Sequence, residues 1–75
     1  MTDKERMRLI RAEMVRKGVL NSEIAREEDV SPAYVYYVLA GKRQGYRIRA
    51  AIAEKVGKPV EELWPDTPVK YRRAA

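Results

Sequence analysis

The sequence predicts an all-α fold, a compact bundle of about five short helices. Three observations predict it. Apolar residues recur at three- and four-residue spacings in successive segments, which gathers them on one face of a helix. No segment shows the apolar–polar alternation of a strand. Gly18, Gly41 and Gly57, with Pro32, Pro59 and Pro65, fall where such segments should stop or start.

Thr2 and Glu5 have the spacing of a capping box at the start of the first helix. Met7, Ile10 and Met14 follow on one face, Glu13 and Lys17 form an i, i+4 pair, and Gly18 ends the helix. Asn21 is the expected N-cap of a second helix from Ser22 to about Glu28, with Ile24 and Ala25 inward. Asp29 and Val30 make a tight connection. Ser31 as N-cap and Pro32 at the first helical position open a third helix, which runs to Ala40 and stops at Gly41. Lys42 to Gly45 reads as a loop. A fourth helix spans Tyr46 to Val56, carried by Ile48, Ile52 and Val56, and a short fifth runs from Pro59 to Leu63. Trp64 is expected to close the core with Leu63, Ile52 and Ile10. Residues 1–65 then form one domain. Residues 66–75, with Lys70, Arg72 and Arg73, are expected to be a basic flexible tail, either an arm that embraces a partner or a solubility tail.

Composition removes several classes of function. A chain of 75 residues is one small domain with little room for an enclosed substrate cavity. It has no cysteine and no histidine, so thiol chemistry, cysteine-ligated zinc and imidazole catalysis are all absent. The closest carboxylates, Glu27-Glu28-Asp29 and Glu61-Glu62, are sequence neighbours on helices and do not face one another. No catalytic residues, metal ligands or cofactor motif are expected, and the chain reads as a non-enzyme without a small-molecule substrate. No apolar run approaches a membrane span and no signal-like stretch follows the charged first residues, so no membrane partner and a cytoplasmic location are expected. The formal net charge is +5, and its distribution matters more than its size: from Val30 to Ala53 there is no acid, while Lys42, Arg43, Arg47 and Arg49 all lie within that run. Such a segment suits a polyanionic partner.

The stretch from Asn21 to Ala40 has the properties of a helix-turn-helix. Two short helices crossing steeply need a small residue at the approach, here Ala25, and apolar residues at the junction, here Ile24, Val30, Val35 and Val38. The turn needs a residue that accepts positive φ, and aspartate, here Asp29, does so more readily than most. Ile24-Ala25, Val30-Ser31, Val35 with Val38-Leu39, and Gly41-Lys42 resemble the lambda-repressor/Cro-like helix-turn-helix family. Ala51-Ile52-Ala53, Gly57-Lys58-Pro59 and Glu61-Glu62-Leu63-Trp64-Pro65 are similar to its Ner-like subset of small phage transcriptional regulators. Glu28 and Asp29 depart from the leucine and glycine usual in the family. Glu28 should either point outward or lie beyond a helix that ends one residue early.

The resemblance implies sequence-specific binding of double-stranded DNA and a role as a transcriptional regulator, a repressor in the phage manner. With Val35, Val38 and Leu39 inward, the outer face of the third helix would enter the major groove. The base-reading candidates are Ser31, Pro32, Ala33, Tyr36 and Tyr37. This face lacks the arginine, lysine, asparagine or glutamine that make two-pronged base contacts, so it would read thymine methyls, tyrosine hydroxyl partners and DNA shape. The alternative for the tyrosines, Tyr34 above all, is an aromatic patch that packs against the first and fourth helices or a partner subunit. The resemblance places Lys42, Arg43 and Arg47 on the phosphate backbone, with Arg47 also near the minor groove. Asn21 and Ser22 would meet a phosphate through the N-terminus of the second helix. If Lys42, Arg43, Arg47 and one more cation neutralise phosphates, log K should fall with log salt at roughly −3 to −5. One helix covers few base pairs, so a weak homodimer or pairing of copies on DNA is expected, with Tyr34, the tail and the Pro59–Trp64 turn as candidate contacts. The alternative is a helix-turn-helix protein-interaction module, such as an antitoxin or adaptor, using the tyrosine face.

Overall fold

Five helices form where the apolar spacing and the caps place them, and a computed structural model describes residues 1–72 of the chain. They are α1 (Asp3–Arg16), α2 (Asn21–Glu28), α3 (Pro32–Leu39), α4 (Tyr46–Val56) and α5 (Val60–Leu63), followed by a 3-10 turn at Val69–Tyr71. No strand occurs among the described residues. The fold is all-α.

Local chemistry explains the boundaries. The Thr2 hydroxyl accepts the Glu5 N–H at 3.1 Å and the Glu5 carboxylate accepts the Thr2 N–H at 2.9 Å, a complete capping box. Ser31 caps α3 through the Tyr34 N–H at 3.1 Å, with Pro32 at the first position. α2 starts one residue earlier than expected: Leu20, in extended backbone, is the cap, and Asn21 is already helical. No hydroxyl or amide caps this end; Glu23 accepts the Leu20 N–H at 3.2 Å instead. α3 stops at Leu39 with Ala40 as its cap, and α5 begins at Val60 with Pro59 as its cap, each one residue inside the expected range.

The first four helices all end on a six-to-one hydrogen bond. Val19 donates to the Met14 carbonyl (2.8 Å), Val30 to Ala25 (2.9 Å), Lys42 to Tyr37 (2.9 Å) and Lys58 to Ala53 (3.1 Å). This closure requires one left-handed residue. Glycine supplies it in three cases, and in α2 it is Asp29, at φ 58° and ψ 48°. The turn between α2 and α3 therefore forms without a glycine.

α4 is the centre of the bundle, packed against α1, α2, α3, α5 and the 3-10 turn. Its Ile48, Ile52 and Val56 meet Ile10 and Met14 of α1, Ile24 and Ala25 of α2, and Val35, Val38 and Leu39 of α3 in one buried cluster. Each of the valine, leucine, isoleucine and methionine side chains contributes roughly 1.5–3 kcal/mol on burial. Trp64 is 1% exposed and closes the cluster with Leu63 and Val60. The loop before α4 lies tightly on α3: a Cβ on Gly45 would run into Val38 Cγ2.

The segment after Pro65 is a correction to the expected flexible tail. Thr67 is 1% exposed, its hydroxyl donating to the Trp64 carbonyl at 2.7 Å. Arg72 Nε donates to the Thr67 carbonyl at 2.9 Å, and the Tyr71 ring lies 4.8 Å from that of Tyr46. The anchor is Arg49, which reaches Asp66 at 3.1 Å and Thr67 at 3.3 Å. Hydrogen-bond and ring partners in the fold thus hold residues 66–72 on α4. Arg73, the remaining basic residue assigned to the tail, lies outside the described residues.

Candidate nucleic-acid interface

The rotation of α3 follows from its sequence. Three hydrophobic residues on one side, Val35, Val38 and Leu39, are each at most 1% exposed. The opposite side must then face solvent, and Ser31, Pro32, Ala33, Tyr36 and Tyr37 are all exposed. Tyr36 and Tyr37 meet edge to face, with centroids 6.0 Å apart. The Ser31 hydroxyl is committed to its cap, so a lone pair and its proton remain for a partner. Tyr34 is half-buried and packs on the core, which fits its packing reading.

Lys42 and Arg43 follow α3 directly and are exposed. Neither has an acidic partner among the described residues; Arg43 donates only to the Lys42 carbonyl, at 3.3 Å. Asn21 and Ser22 sit at the first two positions of α2, with Ser22 exposed and Asn21 half-buried. The predicted base-facing residues and these four backbone candidates remain accessible, the majority of them fully.

The other two cations of the acid-free run have a different fate. Arg47, on the first turn of α4, puts Nε 3.1 Å from the Glu28 carboxylate and a terminal nitrogen 2.7 Å from the Glu28 carbonyl. Glu28 belongs to α2 and is half-buried beside Arg47, so neither polar residue needs the core. Arg49 is buried. Its guanidinium lies over Tyr46 at 5.1 Å and Trp64 at 5.6 Å, with Asp66 as counter-ion.

A third acid approaches the loop. The Asp3 carboxylate covers Gly41, where an added Cβ would sit 2.7 Å from Asp3 Cγ. This contact sets the first turn of α1 beside the loop. Behind it, Lys4, Arg8 and Arg11 repeat at i, i+4 and i+7, exposed and without acidic partners among the described residues. Sequence reasoning passed over this line of cations, although helical spacing alone would have found it. The long-range acids left no such signal, because Glu28 and Asp66 are 19 and 17 residues from the arginines they meet.

Among the described residues, no group of three or more acidic side chains could hold a metal ion, and no helix is long and apolar enough to cross a membrane. Comparison with protein-family models, curated proteins and solved structures found no match.

Proposed function

We propose that the protein binds double-stranded DNA sequence-specifically through α2 and α3 and acts as a transcriptional regulator, a repressor of the lambda-repressor/Cro-like, Ner-like kind. One observation carries the reading: an uncharged, exposed face of α3 is followed, just past the end of the helix, by two cations with no acidic partner among the described residues. A face of that kind fits a groove floor, and the cations fit its phosphate wall. Ser31, Pro32, Ala33, Tyr36 and Tyr37 read bases and groove shape. Lys42, Arg43 and the first turn of α2 at Asn21 and Ser22 hold the backbone.

The pairing of Arg47 and Arg49 lowers the expected electrostatic contribution. Two or three neutralised phosphates give a slope of log K against log salt of roughly −2 to −3 per protomer, shallower than the acid-free run alone suggests. Selection of bound duplexes from a random pool, followed by salt titration on the winner, tests this. A recovered motif with a negative slope is expected; no enrichment and a slope near zero would overturn it. Copies should pair on half-sites about 10–11 base pairs apart. Val60, Leu63 and Trp64 are spent in the protein's own core, so the Pro59–Trp64 turn has little apolar surface for a second copy.

A protein-interaction module, antitoxin or adaptor, is the second reading. The exposed Tyr36–Tyr37 pair favours it, since interface cores are rich in tyrosine. A stable hetero-complex that forms without DNA and survives high salt would support it over the first.

A further inference from the structure

Glu28 is the residue at which the chain departs from the leucine of the family it resembles, and its carboxylate is held by Arg47 across the fold. Arg47 occupies the first turn of α4, immediately after the loop that carries Lys42 and Arg43. Its side chain is 69% exposed, so solvent and a polyanion can reach it. Its charge is nevertheless engaged: Nε faces the Glu28 carboxylate at 3.1 Å, and a terminal nitrogen holds the Glu28 carbonyl at 2.7 Å. The two contacts use two separate edges of the guanidinium. The carbonyl contact fixes Arg47 against the end of α2, and the carboxylate neutralises it there.

We propose that Glu28 competes with DNA phosphate for Arg47 and thereby holds the protein's affinity for DNA below what its basic segment would supply. The inference rests on the DNA-binding reading and names an affinity-setting residue within it. An exposed ion pair of this kind is worth little to stability, because solvent screens it and two long side chains must be ordered. Its consequence for binding is larger. A phosphate approaching Arg47 must displace a carboxylate already in place, and while Glu28 keeps the guanidinium, Arg47 neutralises no phosphate and adds no counterion release. Asp3 over Gly41 stands beside the same loop, but its carboxylate pairs with Arg6 of its own helix at 3.4 Å and with no loop cation.

Glu28→Gln tests this, because glutamine keeps the length and an acceptor for Arg47 while removing the charge. Affinity for duplex DNA is measured from about 0.05 to 0.3 M salt for the wild type, Glu28→Gln and Glu28→Gln/Arg47→Ala. Glu28→Gln should bind roughly five- to ten-fold more tightly near 0.1 M salt, on specific and random duplexes alike, with the slope steeper by about one. The double variant should lose that gain and that extra slope. If the gain persists in the double variant, Glu28 acts only through general charge and the proposal is wrong. If Glu28→Gln binds as the wild type does, with unchanged thermal unfolding, the proposal is also wrong while the DNA reading stands. If the wild type shows no salt-dependent binding, the DNA reading itself fails, and this inference with it.

Discussion

The loop after α3 and the first turns of α4 carry two cations each, yet they are electrostatically unlike. Lys42 and Arg43 stand in solvent without acidic partners among the described residues, whereas Arg47 is neutralised by Glu28 and Arg49 is buried against Asp66. In sequence the four belong to one uninterrupted positive run. In the fold, acids from α2 and from the C-terminal segment divide it. The positive charge a partner meets is therefore set by tertiary contacts, and counting along the chain overstates it.

The largest way to break this comparison is to exchange the roles. Arg49→Ala should cost about 2–3 kcal/mol, since it empties a site between Tyr46 and Trp64 and strips Thr67 of a partner. The cost stays below that of a fully buried pair because Asp66 is 62% exposed and regains water. Lys42→Ala should change stability by less than about 0.5 kcal/mol. Chemical denaturation of both variants checks the contrast; equal effects would show that the loop is as structural as the helix.

Binding should give the reverse order. Lys42→Ala is expected to weaken all duplexes alike and to flatten the salt slope by about one. Tyr37→Ala should cost about 1–3 kcal/mol on the selected site and far less on random DNA, with the midpoint of unfolding retained. Filter or fluorescence titrations against two duplexes separate these patterns. A Tyr37 variant that loses stability without losing preference would make that ring a packing residue.

Two smaller effects sharpen the picture at the helix ends. Asp29→Gly should stabilise the protein by about 0.5–1 kcal/mol, because glycine takes the left-handed cap without the Cβ cost. Thermal unfolding reads it directly, and a loss would mean that the Asp29 side chain makes a contribution of its own. Glu5 is held below the usual glutamate pKa by the Thr2 backbone N–H, then by the Thr2 hydroxyl bond. A depressed folded pKa means its contribution is present above the unfolded value and disappears as pH falls through the folded one. Glu5→Gln should therefore be slightly less stable than the wild type at neutral pH and equal to it in strong acid. A difference that grows in acid would contradict the capping role.

Much of the fold was legible because helices announce themselves locally. The Thr2–Glu5 box, the Ser31-Pro32 start and the αL-tolerant Asp29 are short-range features, and the faces of α3 and α4 follow from spacing. The exposed face of α3 was legible for the same reason. The order of residues 66–72 was not, since Thr67 and Asp66 have no apolar periodicity and gain their place only from a buried arginine on α4. The α2 start shifted by one because a glutamate three residues on met the Leu20 N–H where an asparagine cap was expected.

The separation of duties on α3 has a consequence for how such a protein changes over generations. Val35, Val38 and Leu39, with Tyr34 at their flank, tie the helix to the bundle, while Ala33, Tyr36 and Tyr37 look outward. Substitutions at the outer three positions leave the inner contacts untouched, and solvent-facing replacements there seldom move stability by more than about 0.5 kcal/mol. The outer face is accordingly free to drift. One scaffold can present a succession of different surfaces at those three positions, and each new surface inherits the same rigid support.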